Sequence, residues 1–262
     1  MDTNIGWLFY KDYYSGIGTG NLNYERKNQN IFGKKIIENA YKPAYIEKAN
    51  YCFELETIYP GMLIGSGYTH EAEKGGDDAK GELKLGFFFD HTTGMPIVPG
   101  SSVKGVLKSA FPSFGSKKKY QVERARYIYQ ILNNLEKCPE EISKEDEAKI
   151  NLLEKEIFEG ESKGKPISIY ERDIFFDAII VKSNNRENKF LASDYITPHG
   201  NNPLKNPTPL QFLKILPQVV FRFQFDLKDG VISAKAKKAL FQKILEDQGI
   251  GAKTNVGYGQ FK

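Results

Sequence analysis

Two cysteines in 262 residues, Cys52 and Cys138, are too few for a disulfide framework. Neither has a CxxC or HxxxH companion, so zinc is not indicated, and nothing marks either as a nucleophile. No stretch approaches the ~18 consecutive apolar residues of a membrane span. The opening, MDTNIGWLFYKDYY, lacks the basic-then-apolar pattern of a secretory leader. Charge of one sign is also scarce, with 37 basic residues against 33 acidic and a net +4. These absences point to a cytoplasmic protein with no membrane partner. No nucleotide P-loop is present, because the G-x-x-x-x-G-K-[ST] spacing is missing. The terminal glycines follow a helix rather than open one, which disfavours a dinucleotide site, and no cofactor is called for.

What is there is an ordinary globular composition, 40% hydrophobic with 24 glycines. The positive charge is uneven: residues 180–262 hold 13 basic and 6 acidic residues, a balance of +7. Such a segment suits phosphates, although a solvated basic face explains the charge equally simply. Residues 1–45 mix Gly, Asn and Tyr with little periodicity and read as an irregular arm. Tyr51–Tyr59 alternates as a half-buried strand, and Gly65–Gly86 reads as a long polar loop. After Pro99 a helix is expected, capped by Ser101 or Ser102, with Val103, Val106, Leu107 and Ala110 on its apolar face. Residues 117–160 read as a helical hairpin inserted with its polar face in water.

Strands are expected over Asp173–Lys182, Phe190–Tyr195 and, most clearly, Gln218–Leu227. A basic amphipathic helix follows over Ser233–Asp247, with Ala234, Ala239, Leu240, Ile244 and Leu245 inward. A glycine-rich loop then enters a short terminal strand. The order strand, helix, strand, strand, helix, strand gives an α+β class. It is the ferredoxin-like (RRM-like) arrangement, one antiparallel sheet with helices on a single face. The arm and the helical insertion decorate one domain spanning 1–262.

Two segments carry candidate chemistry. In PGSSVKGVLKS, free N–H groups at a helix start, the hydroxyls of Ser101 and Ser102, and Lys104 suit a phosphate. A capped helix with a surface lysine is the equally weighted alternative. In GIGAKTNVGYGQF, four glycines surround Lys253 and permit close approach of another chain. Metal-assisted cleavage would need converging carboxylates, for which Asp77, Asp78, Glu71 and His70, with Asp90 and His91, are the candidates. Solvated acids are the commoner reason for such loops. His199 reads as structural or RNA-contacting rather than as a base.

Read together, MPIVPGSSVKGVLKSA (95–110), FFDA (175–178) and the terminal GIGAKTNVGYGQF (249–261) resemble the RAMP superfamily of CRISPR-associated RNA-binding proteins. SDYITPHGNNPLKNPTPLQFLKI (193–215) and the opening NIGWLFYKDYYSGI are similar, more specifically, to the sixth Cmr subunit family of type III-B effector complexes. The resemblance implies a non-catalytic subunit capping the backbone filament and holding the 3′ part of the guide RNA (crRNA). It implies as partners other Cmr-type RAMP backbone subunits, the small helical subunit and the target RNA. It places RNA on Gly100, Ser101, Ser102, Lys104 and Lys108, and on Gly251, Lys253, Thr254, Gly257 and Tyr258, with His199 a further contact. Tyr68 and Tyr195 are candidates for base stacking, with buried or partly buried packing the commoner role of any one tyrosine. The alternative is a metal-dependent endoribonuclease acting through Asp77 or Asp78, since related backbone subunits cleave target RNA with a loop aspartate. A third reading is a purely structural protein whose arm and insertion dock neighbours.

Overall fold

The computed structural model describes residues 4–17, 23–36, 48–70, 81–162, 164–197 and 209–262. Along the chain run α1 (Ile5–Tyr10), α2 (Tyr24–Phe32), β1 (Tyr51–Glu56), β2 (Ile97–Val98), α3 (Gly100–Ser109), α4 (Lys118–Leu132) and α5 (Lys144–Glu154). A small hairpin of β3 (Glu161–Ser162) and β4 (Lys165–Pro166) comes next. It leads to β5 (Ile174–Phe175), β6 (Ala178–Ser183), β7 (Leu191–Ile196), β8 (Leu210–Ile215), β9 (Val219–Asp226) and α6 (Ala234–Gln248).

The alternation VVFRFQFD makes β9 the centre of the main sheet, as its period-2 pattern predicts. Val219, Phe221, Phe223 and Phe225 are all fully buried on one face. Burying each such side chain stabilises the fold by roughly 1.5–3 kcal/mol. The strand order is β1-β9-β6-β2, antiparallel throughout, and β5 also pairs with β9. Beyond β1, Phe261 bridges Thr57, and Glu56 and Lys262 exchange backbone hydrogen bonds. The class is thus α+β with an antiparallel sheet. Phe241 of α6 sits on Phe225, ring centroids 5.4 Å apart, and α3 lies beside α6. The opposite face carries the exposed Cys52 and Glu54, with Arg222 bonded to Glu54 at 2.7 Å.

The described part of the arm is not irregular. Asn4 and Asn23 cap α1 and α2 by accepting from Trp7 N–H and Arg26 N–H, each at 2.9 Å. Ile5, Phe9, Tyr13, Tyr24 and Ile31 enter the core, so packing organises a segment whose composition shows no period. The expected strand Asp173–Lys182 is broken at Phe176-Asp177, where Asp177 turns to α3. The proline-rich region ends in a further strand, β8, paired with β7 along its length. The insertion is helical as expected, yet its inner face, Ile128, Ile150, Leu153 and Ile157, belongs to the common core.

On α6, Ala239 is exposed rather than inward, and Lys237 takes an inward position instead. Lys237 is buried with its Nζ 2.8 Å from Asp173 Oδ2 and 3.0 Å from Glu156 Oε1. Glu156 belongs to the turn after α5 and Asp173 precedes β5, so this triad ties insertion, sheet and helix together. Its two carboxylates also accept the backbone N–H groups of Val231 and Lys228. Among the described residues, no helix is long and apolar enough to cross a membrane.

Candidate functional site

α3 begins against the sheet more closely than any side chain would allow. A Cβ on Gly100 would lie 2.1 Å from the Phe175 carbonyl oxygen, so glycine is required for helix–strand packing. The Gly100 N–H donates to Asp177 Oδ1 at 2.8 Å. The negative charge that a helix N-terminus favours is therefore supplied by the chain itself. This corrects the expected cap: Ser101 and Ser102 lie inside the first turn, exposed, and make no capping bond.

The glycine-rich loop is stapled to the segment after β1. Ala252 N–H donates to Leu63 C=O and Gly259 N–H to Gly61 C=O, both at 2.8 Å. Gly251 (φ +104°) and Gly259 (φ +71°) have backbone conformations that side chains disfavour. Added Cβ atoms would lie 2.5 Å from Leu63 O and 1.9 Å from Ile250 O. These glycines thus serve close approach of the chain to itself. Lys253 also adopts a left-handed conformation (φ 60°), with its side chain exposed, and opens the short turn Thr254–Val256. Thr254 accepts from Gln260 through its carbonyl. Gly257 packs towards Pro60. Tyr258 is turned onto the β7–β8 hairpin, where its hydroxyl donates to Asp194 at 2.9 Å beneath Lys214. Burial and the Asp194 carboxylate both push the Tyr258 phenol's pKa upward.

Between α3 and this loop runs a groove of about 510 Å³. Ser101, Ser102 and Val106 form one wall, Ile250–Ala252 the other, with Ser66, Gly67 and Tyr68 at the end. No carboxylate stands among its described lining residues. Tyr68 is 71% exposed. The structure thus brings Ser101 and Ser102 to Gly251, two segments far apart in sequence. It does not bring Lys104 and Lys108 there. Four residues apart, they lie on the other flank of α3, Lys104 over the Phe175 ring at 5.6 Å and Lys108 3.4 Å from Glu159.

Of the metal-site candidates, the structure describes His70, Asp90 and His91. His70 is buried, stacked on Phe9, and its two ring nitrogens face the carbonyl oxygens of Leu83 (2.8 Å) and Phe9 (2.9 Å). Asp90 accepts from the backbone N–H and hydroxyl of Thr93, while His91 lies against Tyr10. Asp77, Asp78, Glu71 and His199 lie outside the described residues. Among the described residues no group of three His, Cys, Asp or Glu is placed to hold a metal ion. Part of the basic last third is spent internally: Lys189, Lys214, Arg222, Lys228, Lys237, Lys243 and Lys262, seven of its thirteen basic residues, pair with carboxylates. Charge there does not by itself mark a binding face. Sequence reasoning missed Asp177 and the buried triad, whose partners are remote in the chain.

Residues 54–262 match the model of the RAMP superfamily. The chain belongs to this superfamily. Among curated RAMP relatives, the CRISPR system Cmr subunit Cmr6 of Pyrococcus furiosus is 27% identical over 200 residues, 64% of this chain and 58% of that protein. The match thus spans little more than half of that relative's length. A solved type III-B Cmr-beta complex bound to cognate target RNA contains a chain of similar fold, with TM-score 0.52 and 20% identity. That alignment covers 91% of this chain and 70% of that one. The crystal structure of Cmr6 from Pyrococcus furiosus aligns with TM-score 0.42 and 20% identity over 80% of this RAMP chain and 95% of that one.

Proposed function

We propose that this RAMP protein is a non-catalytic subunit of a type III-B CRISPR effector complex, capping the backbone filament and holding the 3′ part of the guide RNA. The observation that carries this reading is the groove between α3 and the glycine-rich loop. It offers hydroxyls, backbone and an exposed tyrosine ring without a carboxylate to repel phosphates. Sequence-tolerant holding of this kind suits a guide, whose sequence is read by base pairing. The similarity to Cmr6 supports the same assignment. The order terminal segment, β1, β9, β6, with α3 and α6 as the connecting helices, supports the ferredoxin-like description.

The test is a gel-shift assay with labelled single-stranded RNA carrying a CRISPR repeat-derived 3′ segment, in magnesium or EDTA, alone and with co-expressed backbone partners. A shift without cleavage is expected, and Ser102→Glu, which adds a carboxylate to the groove, should weaken it about tenfold. Magnesium-dependent cleavage lost with Asp77→Ala and Asp78→Ala would instead establish the endoribonuclease. RNA left unshifted in every lane would leave the structural docking role.

A further inference from the structure

The turn between α3 and α4 and the helix start beside it hold two large rings in water. Phe114 is 61% exposed and Tyr120 43%. The turn itself is fixed. Phe111 and Pro112 are buried, and their carbonyls accept from the Phe114 and Gly115 N–H groups at 3.3 and 2.9 Å. A Cβ on Gly115 would lie 2.8 Å from the Gln121 nitrogen, so the turn packs directly on the start of α4. Arg124 backs the Phe114 ring, its guanidinium 5.6 Å from the centroid, while its Nε donates to the Ser109 carbonyl at 2.8 Å. Tyr120 shares that face of α4, four residues before Arg124.

Cations crowd the same place. Lys117, Lys118 and Lys119 open α4, all exposed, and its first turn holds no acid. Among the described residues Lys117 and Lys118 make no ion pair. Lys119 meets Glu123 only at 3.9 Å, with 80% of its side chain exposed. Glu154, which touches the turn, is buried and taken up by the N–H and hydroxyl of Ser113. Lysines at a helix start oppose its dipole and repel one another, so folding does not explain them. An acidic protein face would answer the lysines, but a flat exposed ring backed by a guanidinium is matched by a base. The patch lies beyond the C-terminal end of α3, whereas the groove opens beside that helix's first two turns. None of the RAMP-like motifs includes these residues.

We propose that Phe114, Tyr120 and Arg124, with Lys117 and Lys118, form a second site for single-stranded RNA, separate from the groove. The face of the Phe114 ring that Arg124 leaves open takes a base, and the two lysines take phosphates. Binding of labelled oligouridylate by the full chain, measured against salt in wild type and in Ser102→Glu, tests it. Phe114→Leu keeps an apolar contact for Arg124 and loses the ring. In the Ser102→Glu background it should weaken binding roughly fivefold or more, with the thermal midpoint unchanged. Lys117→Gln with Lys118→Gln should lower the log–log salt slope by roughly 1.4, two phosphate contacts on a single strand. Lys235→Gln, exposed on α6 by the far end of α4, should leave the slope as it is. Wild-type affinity and slope in the patch variants, with Ser102→Glu impaired, would overturn the second site and leave the groove. The expected losses with Ser102→Glu silent would support the patch and remove the groove. Patch variants that bind RNA as wild type does but no longer assemble with co-expressed backbone partners would make this a protein-docking face and overturn the proposal. A wild-type chain that binds no oligouridylate, and takes no photocrosslink from thiouridine-labelled RNA in the assembled complex, would overturn both sites.

Discussion

Removing the Lys237 ammonium is a severe perturbation placed away from the groove. Lys237 is 1% exposed, and its two partners, Asp173 and Glu156, are buried with it. One cation between two carboxylates leaves the triad at −1. Lys237→Met keeps the volume but strands two like charges, with only the Lys228 and Val231 N–H groups to solvate them. Breaking a buried pair from one side costs about 3–5 kcal/mol. With a chain of this size losing roughly 2–4 °C per kcal/mol, the thermal midpoint should fall by roughly 6–20 °C. Glu156→Gln is the informative contrast, since it removes the unmatched charge, leaves a neutral Lys237–Asp173 pair and keeps an oxygen for the Val231 N–H. It should cost under about 1 kcal/mol, and added to Lys237→Met it should restore part of the loss. Urea unfolding and calorimetry of the four variants form a double-mutant cycle. Equal costs for the two single substitutions, or a loss under about 1 kcal/mol for Lys237→Met, would refute the reasoning.

Acid should destabilise the packing around α1 through His70. Burial holds its folded pKa below the ordinary 6.5, against the Phe9 and Leu83 carbonyls, which pull it up. The unfolded chain therefore binds the extra proton first, so this contribution is full above about pH 6.5 and is lost as pH falls through the lower folded value. Thermal midpoints from pH 7.5 to 5.5 should show that step in wild type and lack it in His70→Phe; identical slopes would remove His70 from the account. Asp177→Ala, which uncaps α3, should cost about 1 kcal/mol in urea unfolding without weakening RNA binding. Weakened binding at unchanged stability would place Asp177 in the site.

What was legible in the sequence follows from how far apart the causes lie. The phenylalanine alternation of β9 and the Ser233 cap of α6 are local, and both elements stand where their patterns put them, within a residue or two. The N-terminal helices carried a local signal too, Asn4 and Asn23 each three residues before the N–H they cap, but their tyrosine-rich faces show no period. Lys237 broke the reading of α6 because a lysine turns inward only where carboxylates wait, and these are supplied 64 and 81 positions earlier in the chain. The same holds at α3. The motif PGSSVKG suggested one anion site combining its serines with Lys104. Helical geometry instead sends Ser102 and Lys104 to different flanks, and Asp177, from another element, occupies the helix start. The residues were visible in sequence, but their division between a groove and a cationic flank required the helix axis and its neighbours.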